Sequence, residues 1–288
     1  MDTVIRTEHL THVYSRGTPF EKVAISDVNV EIHAGELVAV IGHTGSGKST
    51  FMQHLNGLLR PSSGTVYVDG EDIFANKEAT RDVRFKVGLV FQYPEYQLFE
   101  ETVYKDISFG PRNMKLGEGE IDERVREAAR LTGVGEELFE RSPLELSGGQ
   151  KRRVAIAGVM AMRPRVLILD EPMAGLDPAG CAGIMQNITD YRRETGSTVL
   201  LVTHDMDDAA KIADRLIVFH EGAVAMDGTP DEVFSRQREL VEMGLDVPQS
   251  AAIAHALRAR GVALPASIYT LDQLRAALLA LAKGVAGC

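Results

Sequence analysis

Runs rich in apolar residues recur along the first 228 residues and predict a buried sheet. Short, nearly continuous apolar runs, each followed by polar sequence that can start a helix, are typical of parallel strands covered on both faces. The alternation of such strands with helices predicts the α/β class. The runs of this kind are ELVAVIG (36–42), VLILD (166–170) and STVLLVTHD (197–205), and VNVEI (28–32) precedes them as a further strand.

Two other stretches predict antiparallel strands. The segment GTVYVDG (64–70) alternates between apolar and polar positions and ends in a turn. The segment RLIVFHEGAVAMDG (215–228) predicts a hairpin that turns at Glu221-Gly222. Between residues 121 and 131 the spacing of apolar positions is helical instead.

The pattern changes after Gly228. The segment TPDE (229–232) has the form of a capping box with proline at the first helical position, so a helix is predicted to begin at Thr229. A second capping box, Thr270 to Gln273, opens another helix whose leucines share one stripe. We therefore predict a domain over residues 1–228 and a C-terminal helical extension over residues 229–288. The stripe consists of Leu271, Leu274, Leu278 and Leu281.

Composition narrows the choice of partners and compartment. The 288 residues include 31 Lys and Arg against 41 Asp and Glu, which gives a formal net charge of −10. Such a chain repels polyanions, so no nucleic acid is expected and any phosphate site must be local. The two cysteines, Cys181 and Cys288, indicate a reducing compartment. Without a signal peptide or a run of ~20 apolar residues, the chain is predicted to be cytosolic or held at a membrane by another protein.

The segment GHTGSGKST (42–50) has the pattern G-x-x-x-x-G-K-[ST] directly after a predicted buried strand. Its glycines let the backbone curl so that N–H groups point at phosphate oxygens. Lys48 is expected to reach the β- and γ-phosphates, Ser49 to bind Mg²⁺ and Thr50 to contact the α-phosphate. The predicted phosphate-binding loop (P-loop) consists of Gly42, His43, Thr44, Gly45, Ser46, Gly47, Lys48, Ser49 and Thr50.

The strand predicted at 166–170 ends in two carboxylates. Asp170 can hold Mg²⁺ through water, and Glu171, one residue beyond, is placed to polarise an attacking water. Acidic capping residues after a buried strand are the alternative, but the position downstream of a P-loop favours a site for nucleotide hydrolysis.

The segment LSGGQ (146–150) predicts a second phosphate site. Ser147 can cap a helix that begins around Gly148, and the glycines allow a phosphate to approach the backbone closely. A two-fold dimer would face each P-loop with the partner's copy of this segment. An ordinary capped turn is the alternative. The residues predicted to bind nucleotide here are Ser147, Gly148, Gly149 and Gln150.

With these motifs in this order, residues 3–228 resemble the ATP-binding cassette (ABC) family. The resemblance implies the α/β fold of a P-loop NTPase, with a parallel-sheet core, an antiparallel β subdomain and a helical subdomain at about residues 93–160. It also implies ATP and Mg²⁺ as cofactors. The C-terminal helical extension would follow this cassette.

The resemblance assigns roles to further residues. Tyr14 matches the aromatic residue that stacks on adenine, and Asp177 in AGLD (174–177) matches the D-loop near the dimer seam. Gln92 matches the glutamine that senses Mg²⁺ and the attacking water, and would join Ser49 and Asp170 as a metal contact. His204 matches the switch histidine at the γ-phosphate. The presence of both Glu171 and His204 favours a hydrolysing member of the family.

The segment FQYPEYQLFEETV (91–103) combines aromatic rings with glutamates and has no basic residue. It resembles the Q-loop region of ATPases in energy-coupling factor (ECF) transporters, the vitamin and metal-ion importers. GTPFEKVAI (17–25) and the long tail resemble the second of the two ATPases in such complexes. The resemblance implies a transmembrane coupling protein that docks at about Gln92–Val103, and a substrate-binding membrane subunit that is contacted indirectly.

Docking at this segment would use two kinds of side chain. Apolar anchors would pack on the partner, and carboxylates would meet its arginines. The alternative is that the rings belong to the core and the acids to a solvated face. The predicted anchors are Tyr93, Tyr96, Leu98 and Phe99, and the predicted carboxylates are Glu95, Glu100 and Glu101.

The sequence thus predicts a peripheral ATPase subunit at the cytoplasmic face of the cell membrane. It would pair with a second ABC ATPase, either a copy of itself or a paralogue, and power uptake of a vitamin or metal-ion type micronutrient. The leucine stripe of the extension is expected either to fold back on its own cassette or to pack against the partner ATPase. The alternative function is a soluble ABC ATPase with no transport role, such as an iron–sulfur cluster assembly factor.

Overall fold

The computed structural model describes residues 2–285, the last three of them by backbone only, so Cys288 lies outside the described residues. Cys181 is a free thiol. The strands of this part of the chain are β1 (Thr3–Tyr14), β2 (Lys22–His33), β3 (Leu37–Gly42), β4 (Ser63–Val68), β5 (Glu71–Asp72), β6 (Val87–Val90), β7 (Val166–Asp170), β8 (Thr198–Val202), β9 (Arg215–His220) and β10 (Ala223–Gly228).

The α-helices lie between and after these strands. Short 3₁₀ helices span Pro94–Gln97, Glu136–Leu138 and Pro143–Glu145. The α-helices are α1 (Lys48–Leu55), α2 (Lys77–Lys86), α3 (Val103–Asn113), α4 (Glu118–Thr132), α5 (Gly148–Met160), α6 (Pro178–Thr195), α7 (Met206–Ile212), α8 (Pro230–Phe234), α9 (Gln237–Glu242), α10 (Gln249–Ala259) and α11 (Leu271–Val285).

The strands form two sheets. The larger has the order β10-β9-β3-β8-β7-β6, and its neighbours are parallel except for the antiparallel pair β10 and β9. Every residue of β3, β7 and β8 is buried, as the three apolar runs predict. The hairpin of β9 and β10 turns at Glu221 and Gly222, both at positive φ, as predicted. These features confirm the predicted α/β class with a parallel-sheet core.

The smaller sheet is antiparallel, with the order β2-β1-β4-β5. The predicted strand 28–32 is the second half of the longer β2, and the predicted strand 64–70 corresponds to β4. Strand β1 was not predicted. The pairing of β1 with β2 shifts register at several points, and His9 within it has a φ of +49°. These irregularities interrupt the alternation of buried and exposed positions that signals a strand.

Three helices inserted between β6 and β7 pack together. Helices α3, α4 and α5 bury one cluster of apolar side chains, including Ile107, Val125 and Val154. The helix predicted around residues 121–131 is α4, and Ser147 caps α5 in a capping box with Gln150, as the sequence suggests. This insert carries the chain from the end of β6 to the start of β7.

The extension after Gly228 divides into two parts. Thr229 caps α8 through the predicted capping box, and Phe234 and Leu240 then join a cluster that includes Leu216 and Val218 of β9. The first part of the extension, α8 and α9, therefore packs on the core. Helices α10 and α11 form a separate small cluster around Ala254, Leu264, Ile268 and Leu274.

The predicted leucine stripe does not act as one buried face. Leu274 is buried and Leu281 packs against the small cluster, whereas Leu271 is 70% exposed and Leu278 is 39% exposed. The stripe is split because α10 covers only one side of α11. The division of the chain at residue 228 stays a prediction.

Among the described residues no helix combines the length and apolar character required to cross a bilayer.

Candidate nucleotide site

The strand order brings the predicted catalytic motifs to one edge of the larger sheet. In the run β3-β8-β7-β6, the P-loop follows β3, His204 follows β8, Asp170 ends β7 and Gln92 follows β6. Because these four strands are parallel, their carboxyl ends lie side by side, where α/β proteins bind ligands. The fold therefore collects residues that are up to 162 positions apart in the sequence (42 to 204).

The P-loop is held in a tight curve by the surrounding backbone. Gly47 has a φ of +105°, and a Cβ there would lie 2.7 Å from both the carbonyl oxygen of Ala24 and Cγ2 of Ile25. Gly222 of the β9–β10 hairpin donates its N–H to the carbonyl of Ser46 at 3.1 Å. Ser46 Oγ is buried without a hydrogen-bond partner among the described residues. This curved loop with an unsatisfied buried hydroxyl fits a phosphate ligand.

Lys48 lies buried beneath this loop. Its Nζ donates to the carbonyl oxygens of Gly42 at 2.7 Å and His43 at 2.9 Å, which leaves one of its three donors for a ligand. Burial lowers the pKa of Lys48, and the negative charges of Glu171 and Asp170 partly offset this shift. A bound phosphate would favour the charged ammonium and so reverse this shift.

Asp170 and Ser49 lie together at the end of β7 and the start of α1. Burial raises the pKa of Asp170, and the hydrogen bond from Ser49 opposes that shift. No group of three or more His, Cys, Asp and Glu side chains in residues 2–285 could hold a metal by itself. Mg²⁺ in nucleotide sites needs only one or two protein ligands because phosphates and water supply the rest, so this pair fits the ion.

Three predicted catalytic side chains converge at Glu171. Its Oε2 accepts a hydrogen bond from Gln92 Nε2 at 3.0 Å and lies 3.5 Å from His204 Nδ1. Glu171 has a φ of +49°, and Tyr93, next to Gln92, has a φ of +55°. Strained backbone of this kind persists where the surrounding structure holds it and is common at active sites. All three side chains line one cavity of about 380 Å³.

A smaller cavity of about 170 Å³ lies between the P-loop and β1. Tyr14 lines it, and the Tyr14 hydroxyl lies 3.3 Å from Thr50 Oγ1. Lys22 and Ala24 of β2 also line it, although the sequence did not single them out. Their signal was the segment GTPFEKVAI (17–25), which the sequence analysis linked to the family resemblance and not to the nucleotide site. The exposed ring of Tyr14 next to the P-loop fits the predicted stacking on a base.

Two histidines buttress this part of the site. The His54 Nδ1–H donates to the Thr50 carbonyl at 2.7 Å, so His54 Nε2 is the acceptor for His12 Nδ1 at 3.2 Å. The His12 ring meets Tyr14 edge-on, with 4.5 Å between ring centroids. Burial lowers the pKa of the fully buried His54 from 6.5 to about 4. His54 is therefore neutral in the fold at neutral pH.

This lowered pKa predicts an acid-sensitive contribution to stability. The neutral ring stabilises the fold above pH 6.5, and that stabilisation is lost as the pH falls from 6.5 toward 4, because the unfolded chain binds the proton first. The loss reaches about 3 kcal/mol in the free energy of unfolding. Chemical denaturation at several pH values should show a shallower acid loss in His54→Gln. The exposed His255→Gln is the control, and equal pH profiles for all three chains would contradict the prediction.

The residues of the predicted LSGGQ phosphate site, called the signature loop below, lie apart from both cavities. Within residues 2–285, Ser147, Gly148, Gly149 and Gln150 line neither the cavity at Tyr14 nor the one at Glu171. Ser147 and Gln150 bond each other in the capping box instead. Asp177 is exposed and caps α6 by accepting from the Gly180 N–H at 2.7 Å. One chain thus brings together the P-loop, Gln92, Asp170, Glu171 and His204, but not the signature loop.

Arg152 is a connecting residue that the sequence analysis missed. It lies on α5 and is buried. It forms a bidentate ion pair with Glu95, in which Nη2 donates to Oε1 at 2.8 Å and Nε donates to Oε2 at 3.0 Å. Its Nη1 also donates to the carbonyls of Pro172 and Ala174, just beyond Glu171. Arg152 therefore ties α5, the helix that begins in the signature loop, to both the segment after Gln92 and the loop after Glu171. Its position two residues after LSGGQ was the only signal in the sequence.

This ion pair corrects one expectation about the segment 91–103. Glu95 is not free to meet a partner's arginine, because Arg152 of the same chain already holds it. Leu98 is partly buried against the core of the helical insert and is not a free anchor. The exposed rings are Tyr96 at 84%, Phe99 at 65% and Tyr93 at 43%, and Tyr93 lines the cavity at Glu171. Asp106 holds the loop by accepting from the N–H groups of Phe99 and Glu100.

Comparisons with known proteins agree with this geometry. The sequence model of the ABC transporter family matches residues 25–174. The chain is 51% identical over 280 residues to the energy-coupling factor transporter ATP-binding protein EcfA2 of Caldanaerobacter subterraneus subsp. tengcongensis, covering 97% of this chain and 98% of that protein.

Two solved structures are also similar. The structure of cbiO1 from Clostridium perfringens, described as part of the ABC transporter complex cbiONQ, is 41% identical with a TM-score of 0.75, covering 90% of this chain and 100% of that one. The ATP-binding cassette MJ0796, described as a dimeric post-hydrolysis state bound to ADP and Pi, is 30% identical with a TM-score of 0.70, covering 78% of this chain and 98% of that one. The chain therefore belongs to the ABC transporter family and, within it, to the ATP-binding proteins of energy-coupling factor transporters.

Proposed function

We propose that this chain is the ATP-hydrolysing subunit of an energy-coupling factor importer for a vitamin or metal-ion type micronutrient. Membership of the family makes it an ATP-binding subunit and an ATPase coupled to transport. The observation that carries the catalytic assignment is the convergence of Gln92 and His204 on the Glu171 carboxylate. The type of substrate rests on the resemblance of the segment 91–103 to this family.

The residues of the site have separable roles. The P-loop N–H groups and Lys48 bind phosphate oxygens, while Ser49 and Asp170 hold Mg²⁺. Bound MgATP supplies the phosphoanhydride bond to be broken. Glu171 accepts a proton from the attacking water, since its Oε2 is kept in place by the Gln92 amide. His204, 3.5 Å from the same oxygen, can donate toward the γ-phosphate side of the cavity. Tyr14 orients the base.

A second ATPase subunit would complete the site. The LSGGQ residues of this chain line neither the cavity at Tyr14 nor the cavity at Glu171, so they are available to the partner's nucleotide. The related cassette MJ0796 is described as dimeric with ADP and Pi bound, which supports such pairing. The partner would be a second copy or a paralogue, as the sequence predicts.

The membrane subunit is proposed to dock on a groove beside the segment 91–103. This docking groove has a volume of about 530 Å³ and lies between α2 and the helices α3 and α5. Its wall is mainly apolar and includes Phe91, Leu98, Phe99 and Phe109. Phe99 and Phe109 meet edge to face, with ring centroids 4.8 Å apart. A short apolar segment with an arginine would fill the groove and reach Glu100, which follows Phe99 of the wall in sequence.

Reversing the charges of Glu100 and Glu101 tests this docking site. Glu100 has no cation within 4.0 Å among residues 2–285, and Glu101 pairs only with the exposed Lys105. The double variant Glu100→Lys, Glu101→Lys should therefore bind ATP normally but lose co-purification with the membrane subunits by at least about tenfold, because like charges would face the partner's arginine.

The control carries the same charge change elsewhere. Glu118→Lys with Glu242→Lys alters two exposed glutamates outside the segment and should leave the complex intact. Normal assembly and transport by the Glu100/Glu101 variant would refute the docking site. A stable complex with soluble proteins only would instead favour the alternative, an assembly factor of the iron–sulfur type. Uptake assays with candidate vitamins and metal ions then identify the cargo.

The proposed function also predicts where in the cell this chain is located. Through the membrane subunits the chain would lie at the cytoplasmic face of the cell membrane as a peripheral subunit. It would contact the substrate-binding membrane subunit only indirectly. Fractionation of cells with and without the membrane subunits tests this placement, since the chain should leave the membrane fraction when they are absent.

A further inference from the structure

A separate cavity of about 510 Å³ opens between the start of α2 and the loop that follows α1. Every charged residue that lines it is basic, and no Asp or Glu takes part. The cavity and these side chains are called the basic cleft below. The charged residues of the basic cleft are Arg60, Lys77, Arg81 and Arg84.

The spacing of charges along α2 explains how the cleft becomes basic. Lys77, Arg81 and Arg84 are separated by four and three residues, so they share one face of the helix. The acidic residues Glu78 and Asp82 follow one position later and lie on the neighbouring face. Arg60 adds a fourth positive charge from the loop after α1.

These charges are not neutralised within the described chain. Arg60, Lys77 and Arg81 have no carboxylate within 4.0 Å in residues 2–285, and Arg84 only donates to the carbonyl of Gly57 at 3.4 Å. Other cations of the described chain do have a carboxylate within 4.0 Å, among them Arg165 with Asp69 and Arg215 with Asp227. The total charge of −10 makes an unpaired cluster of four cations unusual here. Their mutual repulsion is relieved when an anion binds.

The basic cleft is continuous with the docking groove. Leu58, Arg81 and Arg84 line both cavities. If the membrane subunit fills the docking groove, the basic cleft therefore lies directly beside that subunit. All four basic side chains are exposed, so they are free to reach outward. Under the proposed function, docking to the membrane subunit brings the basic cleft near the membrane surface, where it can contact an anionic group.

We propose that the basic cleft binds the phosphate headgroup of an anionic phospholipid when the subunit sits at the membrane. This inference rests on the proposed function for its orientation. Guanidinium groups bind phosphate through paired hydrogen bonds, and basic residues near an anionic leaflet add to membrane affinity. The contact would hold α2, and with it one wall of the docking groove, at the level of the headgroups.

Vesicle binding by the isolated full-length chain tests the inference. Vesicles of phosphatidylcholine with about 30 mol % phosphatidylglycerol provide the anionic surface, and pure phosphatidylcholine vesicles are the reference. The triple variant Arg60→Gln, Lys77→Gln, Arg81→Gln should bind the anionic vesicles about a hundredfold more weakly, at roughly fivefold per charge removed. Nucleotide binding by the same variant should be unchanged.

A matched control removes the same charge at a distance. Arg238→Gln, Arg260→Gln, Arg275→Gln neutralises three exposed arginines of the extension and should keep wild-type vesicle binding within about threefold, since general charge effects are small. If the triple variant of the cleft folds poorly, the single reversal Lys77→Glu at the exposed first turn of α2 should still weaken binding about twenty-five-fold.

Three results would overturn the inference. The first is equal binding of the wild-type chain to anionic and neutral vesicles, even if it binds inorganic phosphate. The second is equal loss in the cleft and control variants. The third is unchanged vesicle binding by the cleft variant together with lost co-purification with the membrane subunits, which would assign the cleft to an acidic protein segment. None of these results requires the ATPase or docking proposals to fail, because both are measured separately.

Discussion

Replacing Glu171 with glutamine should lower the turnover of ATP by about 10²–10⁴-fold and leave ATP binding nearly unchanged. The amide cannot accept the proton of the attacking water, although it has nearly the same shape and can still contact Gln92. The groups expected to hold the phosphates, above all Lys48, are untouched by the change. The loss should therefore appear in kcat, with little change in nucleotide affinity.

The measurement compares steady-state ATPase rates of the assembled ATPase pair with equilibrium nucleotide binding. Glu221→Gln is a closely matched control, because Glu221 also has a positive φ, +48° against +49° for Glu171, but lies in the β9–β10 turn. Any effect of placing glutamine in left-handed backbone is then common to both variants. A Glu171→Gln enzyme that retains more than about a tenth of wild-type turnover would show that another group is the general base.

Replacing Ser147 with arginine should abolish hydrolysis at the site of the partner chain, not at the chain's own P-loop. The bulky side chain would block the close approach of phosphate to the Gly148–Gly149 backbone. The fold should survive, because the lost cap of α5 is worth about 1 kcal/mol. ATP binding by the isolated chain should also survive, since Ser147 lines neither cavity at that site.

Mixing two inactive variants tests whether each nucleotide site is shared between two chains or formed within one chain. If the chain pairs with itself, a mixed dimer of Glu171→Gln and Ser147→Arg chains carries both defects at one site and leaves the other intact. An equal mixture should then recover about a quarter of wild-type activity, because half the dimers are mixed and each has one working site. Mass measurement confirms that mixed dimers form. Mixed dimers with no activity would refute a site shared between chains.

Much of the site was predictable because its motifs are local in sequence. A P-loop needs glycines, a lysine and a hydroxyl at set spacings directly after a buried strand, and GHTGSGKST supplies all of them. The apolar runs at 36–42, 166–170 and 197–205 likewise predicted the central strands, since burial on both faces demands them. The α/β cassette fold and the family are confirmed on this basis.

Features that depend on pairs of distant residues could not be predicted. Strand β1 could not be recognised in the sequence because its register shifts interrupt the alternation of buried and exposed positions. The hydrogen bond between His12 and His54 joins two elements 42 positions apart. Glu95 looked like a free carboxylate until the fold placed Arg152 against it, 57 positions along the chain. The sequence offers no signal for such partners, because many cations are available to any one glutamate.

By itself, then, the sequence determined the fold class and the family, and it predicted which side chains bind nucleotide and carry the catalysis. Those properties depend on short patterns of residue type, which follow from local backbone geometry and strand burial. The tertiary structure alone decided which side chains are free and which are already paired. It exposed Tyr96 and Phe99, left Leu98 partly buried against the helical insert, and gathered four unpaired cations into one cleft. Exposure and charge pairing are set by what packs from elsewhere in the chain, and no local pattern contains that information.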